Sequence, residues 1–211
     1  MSATADLASL RAMGQPLVRT RDAAVRLGLT ESAASHLLRR LATAGLVRPI
    51  RRGLWAIESD VDPIQIAVWL TAPYPSYVSL WTALHAHGML AQIPRETHLV
   101  SLGRPDRIVT PLGTLVVHRM APEVFGGYQT RKDGVALATP TKAVFDLAYL
   151  SAAHGRRYRR LPELDLAHGY NAREARSWAG KIPSARLRTI TLDRIRAIEE
   201  DAAAAASSKA P

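Results

Sequence analysis

The chain has 211 residues, 47 % hydrophobic and 22 % charged, a composition that supports packed cores and argues against global disorder. It has no cysteine, which excludes disulfides, zinc ribbons and thiol catalysis, and no apolar run of the roughly 18 residues a membrane span needs. The net charge of +10 is concentrated in two segments suited to polyanions or acidic partners, nine Arg against three acids in residues 1–57 and nine basic against three acidic residues in 150–190.

Thr4 to Met13 reads as a short helix with Leu7, Leu10 and Met13 on one face, ended by Gly14 and Pro16. Asp6 and Arg11 interrupt it and no long apolar core follows, a pattern expected of a cytoplasmic protein rather than one with a secretory leader. A second helix is expected from Thr20, with the Thr20 hydroxyl as its cap, to Gly28. Leu29 plugs the turn, and Thr30 caps a third helix from Glu31 to about Thr43. There Ala34, Leu37, Leu38 and Leu41 share one face, while Ser32, Ser35, His36, Arg39 and Arg40 fall largely elsewhere. Two helices joined by a three-residue Gly-containing turn describe a helix-turn-helix. Leu46 to Ile50 and Leu54 to Ile57 then flank the basic turn Arg51-Arg52-Gly53, a hairpin that supplies a wing, with Pro49 tolerated on a sheet edge. Such a domain is expected to bind double-stranded DNA. The candidate contacts are Thr20, Arg21, Ser32, Ser35, His36, Arg39 and Arg40 on the helices, and Arg51 and Arg52 on the wing. A winged helix used for protein contacts, with a solvated basic face, is the alternative.

Asp62-Pro63 predicts a connecting helix that carries Ile64, Ala67, Val68 and Leu70. Ala72 to Ser76 is Pro-rich and closes a linker. Ser79 is expected to cap a helix from Leu80 to about His87. Strands are predicted at Thr97–Leu102, Arg107–Val109 and Thr114–His118, with a reversal at Pro111-Leu112-Gly113 and a further hairpin around Lys132-Asp133-Gly134. Thr139-Pro140 opens a helix that reaches about Ala153. His85 and His87 diverge by about 200° on a helix, so one buried, hydrogen-bonded imidazole and one exposed one are expected in place of a metal pair. Lys142 and Asp146, four apart, read as a surface or semi-buried ion pair.

The blocks Tyr77 to Met89 (YVSLWTALHAHGM) and Ala138 to Leu147 (ATPTKAVFDL) resemble two blocks of the AbiEi-type antitoxins. Their order after a winged helix matches that family over most of the chain. The resemblance implies an abortive-infection antitoxin that represses its own operon and neutralises a nucleotidyltransferase-like toxin encoded nearby.

Further on, Arg156, Arg157, Arg159 and Arg160 surround Tyr158, which either stacks on a base or anchors the loop. With Arg173 and Arg176 they form a candidate second basic patch for DNA, the toxin or both, although a generally arginine-rich composition gives the same excess. Helices are predicted at Ala172–Trp178, Ser184–Thr189 and Leu192–Ala206, before a frayed tail.

No enzyme is expected: GxGxxG, P-loop and GxSxG motifs are absent, as is any Gly-Ser pair. No acid stands two residues before a lysine, as a restriction-type nuclease would need, and Glu163 with Asp165 reads as a loop pair. The fold class expected is α+β: a winged helix-turn-helix at 1–58, a connecting helix and linker at 59–76, a mixed antitoxin domain with a helical C-terminal part at 77–206, and a tail at 207–211. The expected state is a monomer or weak dimer without cofactor, metal or membrane contact. A one-component transcription factor with a ligand-sensing second domain, and a diverged nuclease, are the competing readings.

Overall fold

In the computed structural model, which describes residues 3–58, 60–154, 163–167 and 169–209, the contacts divide the chain into two units. The first ends at Ile66 and also takes in Val109–Thr114; the second holds the remaining residues. The fold is α+β, and the first unit carries helices α1 (Ala3–Arg11), α2 (Thr20–Leu27) and α3 (Glu31–Thr43) with strands β1 (Leu17–Arg19), β2 (Arg48–Arg51) and β3 (Leu54–Ala56). β3 is central in a sheet of order β1-β3-β2, antiparallel on both sides. Pro49 therefore lies on an edge strand, where its missing N–H leaves no ladder bond unmade. β1 was not foreseen, because three residues are too short for periodicity to register.

The apolar face of α3 drives this unit. Leu37, Leu38 and Leu41 pack with Leu7, Leu10, Val18, Ala23, Val47 and Trp55 in one buried cluster. Each leucine removed from water contributes about 1.5–3 kcal/mol. Gly28 ends α2 with a left-handed φ of 65°, which lets the Leu29 N–H return to the Ala24 carbonyl at 2.9 Å. Leu29 itself does not plug the turn: it is 38 % exposed, because this backbone bond and not side-chain burial closes the turn.

In the second unit, helices α4 (Ala67–Thr71) and α5 (Leu80–Ala86) alternate with strands, β4 (Ser76–Val78), β5 (Thr97–Ser101), β6 (Asp106–Thr110), β7 (Gly113–Arg119), β8 (Tyr128–Thr130) and β9 (Ala136–Ala138). Helices α6 (Pro140–His154), α7 (Ala172–Gly180) and α8 (Ala185–Lys209) follow. The sheet order is β6-β7-β5-β4-β9-β8, with β5–β7 and β4–β9 parallel, and β4–β5 and β8–β9 antiparallel. The reversals at 111–112 and 132–134 lie where turn chemistry put them. Two expectations are corrected. Asp62 opens no long helix: its Oδ1 accepts from Ile64 N–H at 2.9 Å in a local turn, and the helix begins at Ala67. Ser184–Thr189 and Leu192–Ala206 join into α8, since Thr191 is buried and its hydroxyl donates to the Leu187 carbonyl at 2.7 Å, an internal bond that lets the helix run through.

The two blocks from Tyr77 and Ala138 meet in one buried polar network. Lys142 and Asp146 have no exposed surface, so the expected surface or semi-buried pair is fully interior. Lys142 Nζ is salt-bridged to Asp146 Oδ1 and donates to Tyr77 Oη at 2.9 Å. Asp146 Oδ2 accepts from Tyr77 at 3.0 Å and from Ser79 at 2.7 Å. Ser79 stands at the N-cap of α5 as expected, but its hydroxyl goes to Asp146 and makes no bond to the amides of the helix. The ammonium also lies 4.9 Å from the Phe145 ring centre and 4.8 Å from that of Trp178. Burial pushes the Lys142 pKa down and that of Asp146 up, and their mutual attraction opposes both shifts. Gly127 is required beside them: with φ at +70°, an added Cβ would meet Trp178 at 2.7 Å and Lys142 at 2.9 Å.

On the sheet, the His98 and His118 imidazoles share a hydrogen bond of 3.1 Å, one ring donating to the other. Burial lowers the His98 pKa from 6.5 to about 4, with Glu96 opposing in part.

Two outcomes follow from this packing. Lys142→Met or Asp146→Leu alone should each cost about 3–5 kcal/mol in urea unfolding, because each strands a buried charge. The double variant should cost clearly less than the two added together, whereas additive losses would contradict the coupling. The folded protein binds fewer protons at His98 than the unfolded chain between pH 4 and 6.5. That stabilisation, at most about 3 kcal/mol, is complete above pH 6.5 and lost as pH falls toward 4. The urea midpoint of wild type should therefore drop more steeply over this window than that of His98→Gln; parallel curves would contradict it.

Candidate nucleic-acid interface

α3 is amphipathic because Ala34, Leu37, Leu38 and Leu41 recur at helical spacing, and all four are buried. Its first turn is closed by Thr30, whose Oγ1 accepts from Ala33 N–H at 3.2 Å. The polar arc that burial leaves outside contains Glu31, Ser32, Ser35 and Arg39, which line an open cleft. Across it stand Arg51, Arg52 and Gly53 of the β2–β3 turn, with Pro49, Thr20 and Trp55 completing the wall. Arg39 Nη2 donates to Ser35 Oγ at 3.0 Å, one helical turn back, so the guanidinium is held along the cleft with its other N–H groups still available to a ligand.

Thr20 fixes the wing. Its N–H donates to the Gly53 carbonyl at 3.0 Å, and its Oγ1 accepts from Trp55 Nε1 at 3.0 Å. Gly53 takes the left-handed φ of 74° that this tight turn demands. One expectation for Thr20 is thereby corrected: it does not cap α2, whose N-cap is Arg19. It lines the cleft as a buried support, at 6 % exposure. Its hydroxyl is drawn inward because the buried Trp55 indole requires an acceptor.

The remaining candidates divide clearly. Ser32, Ser35 and Arg39 on α3 and Arg51 and Arg52 on the wing come together in the cleft. His36 and Arg40 are exposed on α3 but outside its lining, and Arg21 on α2 pairs with Asp22 at 3.4 Å. Arg156, Arg157, Arg159 and Arg160, with Tyr158, lie outside the described residues. Of the other two members of the second patch, Arg173 is exposed, whereas Arg176 donates to Glu199 and to the Ala172 carbonyl, each at 2.8 Å. Its charge is therefore balanced within the chain. Sequence reasoning missed Glu31, Pro49 and Trp55 as cleft residues. Trp55 carried a signal, a large aromatic with one N–H donor in a wing strand, which must find a partner when buried.

His85 Nδ1 donates to the Leu90 carbonyl at 3.0 Å and His87 Nε2 to that of Ala138 at 2.7 Å. Both rings are half-buried, which corrects the expectation that one would be exposed. Among the described residues no three His, Cys, Asp or Glu side chains converge in a metal-binding arrangement, and no helix is long and apolar enough to cross a membrane.

Residues 6–57 match the family described as "Transcriptional regulator, AbiEi antitoxin". The match spans α2, α3 and the wing and ends before Tyr77, so it covers about a quarter of the chain. No curated protein matches the chain.

Thr20→Val keeps the side-chain shape but strands the Trp55 N–H, so unfolding free energy should drop by about 1–3 kcal/mol. Thr20→Ser should retain most of it. Equal stability of wild type and Thr20→Val in denaturant titration would show that this bond does not hold the wing.

Proposed function

We propose that this chain is a DNA-binding regulator of antitoxin type that represses its own toxin–antitoxin operon. α3 enters the major groove of the operator, where Arg39 pairs with guanine and Ser32 and Ser35 reach neighbouring base edges or phosphates. Arg51 and Arg52 meet the adjacent phosphate backbone and supply affinity without sequence choice. The observation that carries this reading is the convergence of these five side chains on one cleft, within the segment that matches a transcriptional-regulator family. The excess of six positive charges over residues 1–57 supports it electrostatically. The rest of the chain, by the same family likeness, would neutralise a nucleotidyltransferase-like toxin encoded beside it.

The test is binding of the full chain to duplex DNA from upstream of its own gene, across a range of salt. Arg39→Ala with Arg51→Ala should weaken binding at least tenfold and lower the slope of log K against log salt by about one to two. Unchanged affinity and slope would remove these residues from the interface. Growth arrest caused by the neighbouring gene product should be relieved by co-expression of this chain, and persistent arrest with folded protein present would remove the antitoxin role.

A further inference from the structure

The cleft holds one acid among three arginines. Glu31 is the first residue of α3, is exposed, lines the cleft and, among the described residues, joins no ion pair. An acid in the first turn favours the positive end of the helix by about 0.3–1 kcal/mol. That accounts for an acid near this end but not for its direction. Glu31, Ser35 and Arg39 follow one another at intervals of four, so they form a single ridge facing the wing.

On a surface that takes a polyanion, this direction carries a penalty unless something in the duplex donates to the carboxylate. Phosphate repels it. In the major groove guanine offers the acceptors N7 and O6, thymine offers O4, and adenine places its N7 acceptor beside its amino group. Cytosine alone presents a donor, its N4 amino group, with no acceptor on the same base. We infer that Glu31 is a specificity-determining residue, its carboxylate accepting a hydrogen bond from a cytosine N4 amino group while it rejects the acceptor-bearing bases by repulsion. The inference rests on the DNA-binding reading above and adds a base to it.

The ridge also fixes a spacing. Eight residues separate Glu31 from Arg39, about 12 Å along the helix axis, or between three and four base steps at about 3.4 Å each. The bond to the Ser35 hydroxyl keeps the Arg39 guanidinium on this ridge. The operator half-site should thus carry a cytosine, read by Glu31, within about four base pairs of a guanine read by Arg39.

The experiment is selection of bound duplexes from a random library by the full chain as wild type, Glu31→Gln and Glu31→Ala, with thermal melting to confirm that each is folded. Wild type should enrich a motif in which replacing that cytosine weakens binding about tenfold or more. Glu31→Ala should lose the preference at that one position, keep the guanine, and bind unselected DNA more tightly because a repulsive charge is gone. Identical motifs for wild type and Glu31→Ala would overturn the inference and leave the DNA-binding reading standing. A wild-type chain that enriches no motif would overturn that reading, and the Glu31 assignment with it.

Discussion

Burial of Leu37, Leu38 and Leu41 against Leu7, Leu10, Val18 and Ala23 sets the rotation of α3 about its own axis, and every outward residue of that helix is placed by this choice. Successive residues on an α-helix are about 100° apart, so a rotation by one position would trade a buried leucine for a histidine or an arginine. Each leucine contributes about 1.5–3 kcal/mol by burial, more than a polar contact returns in net terms. Ser35 and Arg39 therefore face the wing because the leucines cannot. The wing is located by Trp55, which shares this leucine cluster, and by the two bonds that Thr20 makes to Gly53 and Trp55. The two elements define the cleft between them.

The second unit uses a different device. The blocks that begin at Tyr77 and Ala138 supply Tyr77 and Ser79 from one and Lys142 and Asp146 from the other, and these join β4 to α6 through buried, fully partnered polar groups. Removing two charges from water costs several kcal/mol per ion, so such a network specifies one arrangement of helix on sheet more than it adds stability. The aromatic rings of Phe145 and Trp178 and the close approach of Gly127 complete the enclosure of Lys142.

Much of this was legible in the sequence, and for identifiable reasons. α3 was bounded correctly because a cap, a long apolar periodicity and a terminal glycine agree there. The hairpins at 111–112 and 132–134 were legible from turn chemistry alone. What stayed hidden depended on partners distant in sequence. Thr20 reads as a cap until Trp55, thirty-five residues on, takes its hydroxyl, and Ser79 reads as a cap until Asp146 does the same. Lys142 and Asp146 read as an ordinary helical pair, since i and i+4 spacing carries no information about burial. The basic character of Arg39, Arg51 and Arg52 was visible in sequence, but their convergence with Glu31 on one cleft required the fold.

The central claim is that α3 and the wing together take a duplex. Its most direct test is a titration of the isotope-labelled full chain with duplex DNA from upstream of its gene, following backbone amide resonances. The account predicts that the perturbed amides cluster at Glu31–Arg40 and Arg51–Gly53, with the Trp55 indole shifting as the cleft fills. Perturbations confined to α7, α8 or the six-stranded sheet, with α3 and the wing unmoved, would contradict it.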